Sequence, residues 1–493
     1  MVIEDEYIRL IFGLKVKQIR TEKNLSLFGL AKLSGLSKSY LNEIEKGKKY
    51  PKTDKILLLS ESLEVPYDYL VSLKLDKNLA PIGEILQSKF LKEIPLELFG
   101  IKENNLIDIV ANAPVKVNAF ISTIIKIAQN YNLTRESFFL ASLRSYQEAH
   151  NNYFEEIEVD VEKFAKAYHI DLSKRVNAKD LEEILIEEFD YQIDNEVLQK
   201  YNNLGELRNI FIASKKILLI DKNISEAQKT FIYAKELAYN YLNIKDRLYT
   251  FPWIKFESFD QVLNNFIASY FAGALIIPRK NLIEKLTNFF NLEEWKPLKL
   301  HEIMNHFNCS QETFYQRLTN ILPKFFNIKN LFFLRFIHKT HSPEFRLSKE
   351  LHITQQQAPH ANRNNEHYCR RWISIKTIQE LEKSSKKRAT FGVQISSYEN
   401  KNEYLVLSSA TPDPFKKDIN RSVSIGLLLS PHLKKKLRFF NENTFDKNSV
   451  GVTCETCSLK NCGDRVADSY RLEKQIKYDE ISNTVENIIN SYN

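Results

Sequence analysis

Glycine is scarce in this chain, 12 residues in 493. That disfavours glycine-rich phosphate loops and leans the chain toward helix; no Gly-x-Gly-x-x-Gly or Walker pattern occurs. Cysteine is equally sparse, at five residues, which argues against a disulfide framework. Long apolar runs are missing. The longest, Phe266 to Pro278, has 13 residues, too short to span a bilayer and suited to a buried helix. The first residues, Met-Val-Ile-Glu-Asp-Glu, are acidic and lack a signal-peptide layout. These absences predict a cytoplasmic protein with no membrane partner.

The length predicts about three domains. Hydrophobic residues make up 43% and charged residues 27%, the balance of a folded chain, and the net charge of +8 permits a nucleic-acid partner. The pattern predicts a mainly α fold. Five short helices are expected over 1–75 and a helical region that would carry dimer contacts over 76–175. A further domain is expected at 176–345, then an α/β domain at 346–475 and a tail at 476–493. Within the α/β domain "TFGVQISSY", "EYLVLSSAT" and "SVSIGLLLS" alternate as strands do. "KILLID", 216–221, reads as a short strand, and His301 to Ile321 as a helical step capped by Ser310.

Residues 25–70 carry the most specific signal. Ser26 caps a helix whose inner face is Leu30, Ala31 and Leu33. Gly35 supplies a tight turn where a side chain would crowd the next helix. Ser37 caps the second helix, with Leu41 and Ile44 inward; Thr53 and Pro66 open the fourth and fifth. This leaves Ser37, Lys38, Ser39, Tyr40 and Asn42 at the end that enters a major groove in such motifs. Asn bonds adenine edges and Lys guanine or phosphate; Lys46, Lys48 and Lys49 suit phosphates. Residues 1–58 hold twelve Lys/Arg against seven Asp/Glu. The segment resembles the phage-repressor-like, or xenobiotic-response-element, family. That implies binding to double-stranded DNA, with two copies needed for two half-sites.

"TFIYAKELAYNYL", 230–242, has the stripe of a buried helix, with Lys235-Glu236-Leu237-Ala238-Tyr239 in the frame of His-Glu-x-x-His. Two imidazoles at i and i+4 would share a zinc while the Glu activates water. Lys235 has no lone pair for a metal near neutral pH, and Tyr239 is a poor ligand. The surroundings, "SEAQKTFIYAKELAYNYL" and "FIASYFAGALIIP", resemble the ImmA/IrrE-type metalloproteases. The expectation is a retained fold without catalysis, so not an enzyme. Asp260 or Glu257 falls in the third-ligand region. His301 and His306, five apart, do not form the zinc motif.

"GVTCETCSLKNCGDRVADSY" places Cys454, Cys457 and Cys462 within nine residues. The x2 spacing lets two thiolates turn onto one metal, and Gly463 lets the backbone bend close. Cys369 is the better fourth ligand; Cys309 reads as a buried small hydrophobe and His367 as a lesser ligand. Zinc, a four-iron, four-sulfur cluster and unmetallated thiols all stay open.

The order of these segments, with "IPLELFG", "LRSYQEAHNNYF", "CRRW" and "CETCSLKNCGDR", resembles the short-chain fatty acyl transcriptional regulators of bacteria over roughly residues 7–470. The family motif usually has Arg where this chain has Glu455. The resemblance implies a homodimeric regulator whose C-terminal domain takes an acyl-CoA-type effector, with an iron–sulfur cluster in some relatives. Arg363, Arg370, Arg371, Lys386, Lys387 and Arg388 would meet CoA phosphates, and Trp372 the adenine or acyl group. The alternatives are an iron–sulfur or redox sensor without an organic ligand, and a metalloprotease acting on a repressor partner.

Overall fold

The computed structural model describes residues 5–73, 135–201, 207–247, 258–353, 366–384, 389–399, 401–413, 416 and 418–492. The chain divides into two compact units, one of residues 1–146 with 257–259, the other of 147–256 with 260–493. Much of the expected dimerisation region, 76–134, lies outside the described residues, as do Glu257, Arg363 and 386–388.

In the first unit five short helices follow the expected punctuation. They are α1 (Asp5–Glu22), α2 (Leu27–Ser34), α3 (Lys38–Glu45), α4 (Thr53–Leu63) and α5 (Tyr67–Val71). Phe12, Leu30, Leu41, Ile44 and Leu59 from four of the helices share one core, which fixes the angle of α3 by apolar burial. Ser26 and Ser37 accept hydrogen bonds from the backbone N–H of Gly29 and Tyr40, satisfying orphan donors at both helix starts.

Three local expectations are corrected. Leu33 is 60% exposed, and Ser34 takes the inward position beside Leu30. Nothing lies within 4 Å of a side chain built at Gly35; its φ of +67° is the reason for glycine. Lys52, not Thr53, occupies the capping position before α4, and its side chain makes no cap.

After α6 (Arg135–Ala149), the second unit opens with α7 (Glu155–Ala167) and α8 (Ala178–Phe189). The strands β1 (Gln192–Asp194), β2 (Asn209–Ile212) and β3 (Ile217–Ile220) form a small sheet in the order β1-β3-β2. Then come α9 (Glu226–Tyr241), α10 (Phe259–Ile276), α11 (Arg279–Phe290), α12 (Pro297–Phe307) and α13 (Gln311–Phe325). Ser225 and Gln228 form a reciprocal capping box that starts α9. Ser310 caps α13 as expected. The apolar run 266–278 is largely buried in α10. Among the described residues no single helix is long and apolar enough to cross a membrane.

Six strands then build a larger sheet: β4 (Leu331–Lys339), β5 (Phe345–Ile353), β6 (Thr390–Tyr398), β7 (Glu403–Pro412), β8 (Ile419–Leu428) and β9 (Lys447–Val450). Their order is β5-β4-β8-β7-β6-β9, with only the β6–β9 pair parallel. The helix α14 (Ile373–Lys383) buries Ile375, Ile378 and Leu381 against Phe332, Leu334, Phe336, Tyr404 and Val406. The fold is mainly α with an α/β C-terminal part. Two boundaries move. The sheet begins at Leu331, so the division at 345/346 falls inside the β4–β5 hairpin. Residues 476–492 of the expected tail belong to a long helix that follows α15 (Pro431–Lys436), namely α16 (Tyr470–Tyr492).

Candidate functional sites

The packing of α1, α2 and α4 behind α3 leaves Ser37, Lys38, Ser39, Asn42, Lys46, Lys48 and Lys49 exposed and Tyr40 half-buried. Ser37 spends its oxygen on the cap. Lys49 lies 5.2 Å above the Tyr40 ring and 3.4 Å from Glu43. Lys38 and Asn42 are four residues apart, hence on one face of α3. The angle of α3 is also held from behind. Arg20 donates Nε and Nη2 to the two oxygens of Glu45, at 2.6 and 2.9 Å, and Nη1 to the Leu25 carbonyl at 2.7 Å. Neither Arg20 nor Glu45 was singled out from the sequence.

On α9, Lys235 and Tyr239 stand where a zinc protease has its imidazoles. Lys235 donates to Asn265 Oδ1 at 2.6 Å, and the buried Tyr239 hydroxyl makes no hydrogen bond among the described groups. Oε2 of Glu236 accepts from Arg247 Nη1 at 2.9 Å and from the Tyr191 hydroxyl at 3.0 Å. The Arg247 guanidinium lies 3.8 Å above the Phe211 ring and 4.9 Å from that of Tyr239. Asp260 is exposed. The carboxylate that would activate water in a protease is thus locked to an arginine and a tyrosine.

Burial pulls the Lys235 pKa down from 10.5 to about 8; Glu236 opposes the fall, and Lys349 and Arg247 add to it. Between those values the unfolded chain still holds a proton that the folded chain has shed. Stability therefore rises with pH across that window. Lys235→Met is expected to raise the melting temperature at pH 7 and flatten that rise, measured by thermal denaturation from pH 7 to 10.5. A mutant curve parallel to wild type would contradict this.

The four cysteines singled out from the sequence line one narrow cavity: Cys369, Cys454, Cys457 and Cys462, together with Arg370 and Arg465. Two backbone bonds join the segments, Cys369 N–H to the Val452 carbonyl at 3.0 Å and Cys454 N–H to the His367 carbonyl at 2.7 Å. Arg465 Nη1 donates to the Cys454 carbonyl at 3.0 Å. Burial pushes the Cys369 thiol up to about 11, with Cys457 and Cys454 adding to the shift. Cys309 lies elsewhere, on the loop after α12. Glu455 receives the backbone N–H of His367 and lies 2.7 Å from its Nδ1, so it holds this loop to the 366–369 segment. The close-approach glycine is Gly451, not Gly463. A side chain on Gly451 would sit 2.8 Å from Cys457 Sγ, whereas nothing lies within 4 Å of one on Gly463.

Among the described residues no three His, Cys, Asp or Glu side chains sit close enough to hold a metal as they stand. The donor chemistry nonetheless fits a soft, thiolate-bound group. Nη1 of Arg370 is buried beside the thiols with no hydrogen-bond partner among the described groups, a cation suited to offsetting thiolate charge.

The expected effector residues are placed differently. Trp372 is 3% exposed and donates its indole N–H to the Gly451 carbonyl at 2.9 Å, so it is a core residue and offers no face to a nucleotide. Arg371 is tied to Asp464 at 2.9 Å, and Arg370 lies over the Phe345 ring and donates to the Pro343 carbonyl. These three do not form an open phosphate site.

The sequence model of the helix-turn-helix family matches residues 16–70. That of the IrrE N-terminal-like domain of the M78 peptidases matches residues 176–319. No curated protein matches the chain. Among solved structures, a Mycobacterium tuberculosis transcriptional regulator is similar at 16% identity, over 66% of this chain and 92% of that one, with a TM-score of 0.46. The chain therefore carries a helix–turn–helix domain of the DNA-binding type followed by an IrrE-like domain.

Proposed function

We propose that the chain is a sequence-specific, double-stranded-DNA-binding transcriptional regulator that acts as a homodimer and has no protease activity. The observation that carries this reading is the exposed face of α3, with Lys38 and Asn42 on it and Lys46, Lys48 and Lys49 just beyond the helix. The lysines neutralise phosphates, and Lys38 and Asn42 read base edges. Genomic fragments that co-purify with the chain supply the duplex. On it, Lys38→Ala and Asn42→Ala are each expected to weaken binding by about 1–3 kcal/mol by fluorescence anisotropy. Unchanged curves for both would remove α3 from the groove.

The lock on Glu236 supports the loss of proteolysis: a carboxylate engaged by Arg247 and Tyr191, with no imidazole at 235 or 239, lacks both metal and free base. The second unit then serves as the sensing body. An acyl-CoA-type effector, as in regulators of short-chain carbon metabolism, would bind one arrangement of the dimer more tightly and so shift operator affinity.

Cys369, Cys454, Cys457 and Cys462 would hold zinc or a four-iron, four-sulfur cluster, which when bound supplies a cross-link between segments 366–372 and 451–469 and, if iron–sulfur, a redox response. Arg370 offsets the thiolate charge, and Gly451 gives Cys457 room. Anaerobic purification with metal analysis tests this. Stoichiometric zinc or iron, lost in Cys457→Ser together with several degrees of melting temperature, is the expected result. Metal-free protein that melts as the mutant does would leave these thiols as core residues.

A further inference from the structure

Arg335 and Lys349 stand directly opposite each other across the β4–β5 ladder. Like charges so placed on a sheet repel. On the other side of β4, Arg421 of β8 stands opposite Ile337 and so shares the face of Arg335. Three cations on three adjacent strands thus turn toward α13. Glu312, in the first turn of that helix, answers two of them. Its two oxygens accept from Arg335 Nη1 at 3.0 and 2.9 Å, and it pairs with Lys349. Asp413 holds Arg421 Nε at 3.0 Å. Two more cations approach from other elements. Arg208, beside β2, lies within electrostatic reach of Glu312, Asp413, Arg335 and Arg421. Lys235 of α9 lies within reach of Lys349. Glu350, the next residue on β5, turns to the opposite face with His352.

Among the described residues, five cations therefore meet two carboxylates, a surplus of three positive charges. The Arg247–Glu236 pair beside Lys235 leaves that surplus unchanged. The surplus is enclosed: the side chains of Glu312, Arg335, Asp413 and Arg421 are only 14–21% exposed. The pKa values of Arg208, Lys235, Lys349 and Arg421 all fall. Burial is the main cause, and in each case a neighbouring cation adds to it. Lys349, on the edge strand β5, keeps 44% of its side chain open to solvent, as a group at the mouth of a recess does. We propose that these side chains form a binding site for a phosphoryl-bearing anion, entered past Lys349 and separate from the cysteine cavity. An enclosed charge surplus is costly without a counter-charge. A carboxylate would cancel one charge of the three, whereas a phosphoryl group carries about two near neutral pH and a diphosphate more. Arginine forks suit such oxyanions, which offer several acceptor oxygens. Lys235 stands where a zinc protease has an imidazole. The residue that removes a metal ligand thus adds an anion ligand, and Tyr239, one turn further on α9, brings a hydroxyl without a partner among the described groups. The proposal stands without the effector reading.

The test titrates the full chain by isothermal calorimetry in phosphate-free buffer with inorganic phosphate, pyrophosphate and coenzyme A, against sodium chloride at matched ionic strength. Pyrophosphate is expected to saturate one site per chain and to bind more tightly than phosphate. Lys235→Met and Lys349→Met should each weaken it at least 10-fold. Both variants should fold, because each relieves like-charge repulsion and Glu312 keeps its bonds to Arg335; thermal melts without anion check this. The triple variant Lys46→Ala/Lys48→Ala/Lys49→Ala, which strips the lysines suited to DNA phosphates, should leave pyrophosphate affinity unchanged. Coenzyme A that displaces pyrophosphate and weakens in the same two variants makes its phosphates the occupant. Coenzyme A that leaves pyrophosphate in place makes the occupant a free phosphate or diphosphate. Anion binding no tighter than that of chloride overturns the proposal. So does pyrophosphate affinity that survives both lysine variants, or that is lost in the triple variant instead. None of these readouts uses DNA, so failure of the regulatory reading leaves the test intact.

Discussion

Arg20→Ala is expected to remove about half or more of the stability of the helix–turn–helix module and to weaken duplex binding, although Arg20 touches no DNA-facing residue. Its guanidinium is 14% exposed and Glu45, the last residue of α3, 6% exposed. The fork-to-fork hydrogen bonds raise the Arg20 pKa, so the ion pair persists throughout the working range. Alanine would leave a buried carboxylate without its counter-charge and the Leu25 carbonyl without its donor. Breaking one side of such a pair costs about 3–5 kcal/mol. A module of this size has on the order of 4–10 kcal/mol in total. Arg20→Lys keeps the charge and loses the fork, so an intermediate loss is expected. Lys46→Ala, on the exposed surface, should weaken DNA binding with little change in stability. Circular-dichroism melts beside anisotropy separate the two effects. An Arg20→Ala protein that melts like wild type would mean that α3 is held by its apolar face alone.

The parts legible from the sequence were those with a local physical cause. Ser26, Ser37 and Ser310 cap helices because a hydroxyl three residues before a free N–H is sufficient, and all three do so here. The strands β6, β7 and β8 fall on the segments read as alternating. What escaped reading was set by tertiary contact. The run "LFFLRFIHK" of β4 is apolar at most positions because it is buried on both faces, so it shows no alternation to mark a strand, and the β4–β5 hairpin went unnoticed. Leu33 was assigned inward by periodicity, yet the short α2 turns Ser34 to the core instead.

At the candidate sites the same division holds. Cysteine spacing brought out Cys454, Cys457 and Cys462, and setting Cys309 aside left Cys369, 85 residues from Cys454, as the fourth thiol that lines the cavity. The glycine was misassigned, because Gly463 is near in sequence while Gly451 is near in space. The family resemblance implies a ligand contact for Trp372. The sheet and α14 claim its ring first, and Gly451 its N–H. Arg247, which decides the fate of Glu236, could not be found by motif. It lies eleven residues downstream of Glu236, and only the fold brings it back.

Arg247→Ala is the second large effect. Glu236 is 6% and Arg247 7% exposed by side chain, and the pair is closed by Tyr191 and by the Phe211 and Tyr239 rings. Truncating the arginine strands a carboxylate in an apolar setting with one tyrosine hydroxyl for company, a loss of about 3–5 kcal/mol. Replacing both partners by apolar residues of similar volume, Glu236→Leu with Arg247→Met, removes the charge and its compensation together. That double variant is expected to lie much closer to wild type than Arg247→Ala does. Denaturant unfolding of the wild type, both single variants and the double variant closes the cycle, with a large coupling between the two positions. The cycle also bears on the question raised by the Lys235–Tyr239 frame. A glutamate kept for hydrolysis is dispensable to stability, and its loss is felt in turnover. A glutamate kept for shape behaves in the opposite way, with its cost falling on folding and cancelled when its partner goes too. Near-additive losses in the cycle would show that Glu236 and Arg247 act separately, and the helix would need another reason for its glutamate.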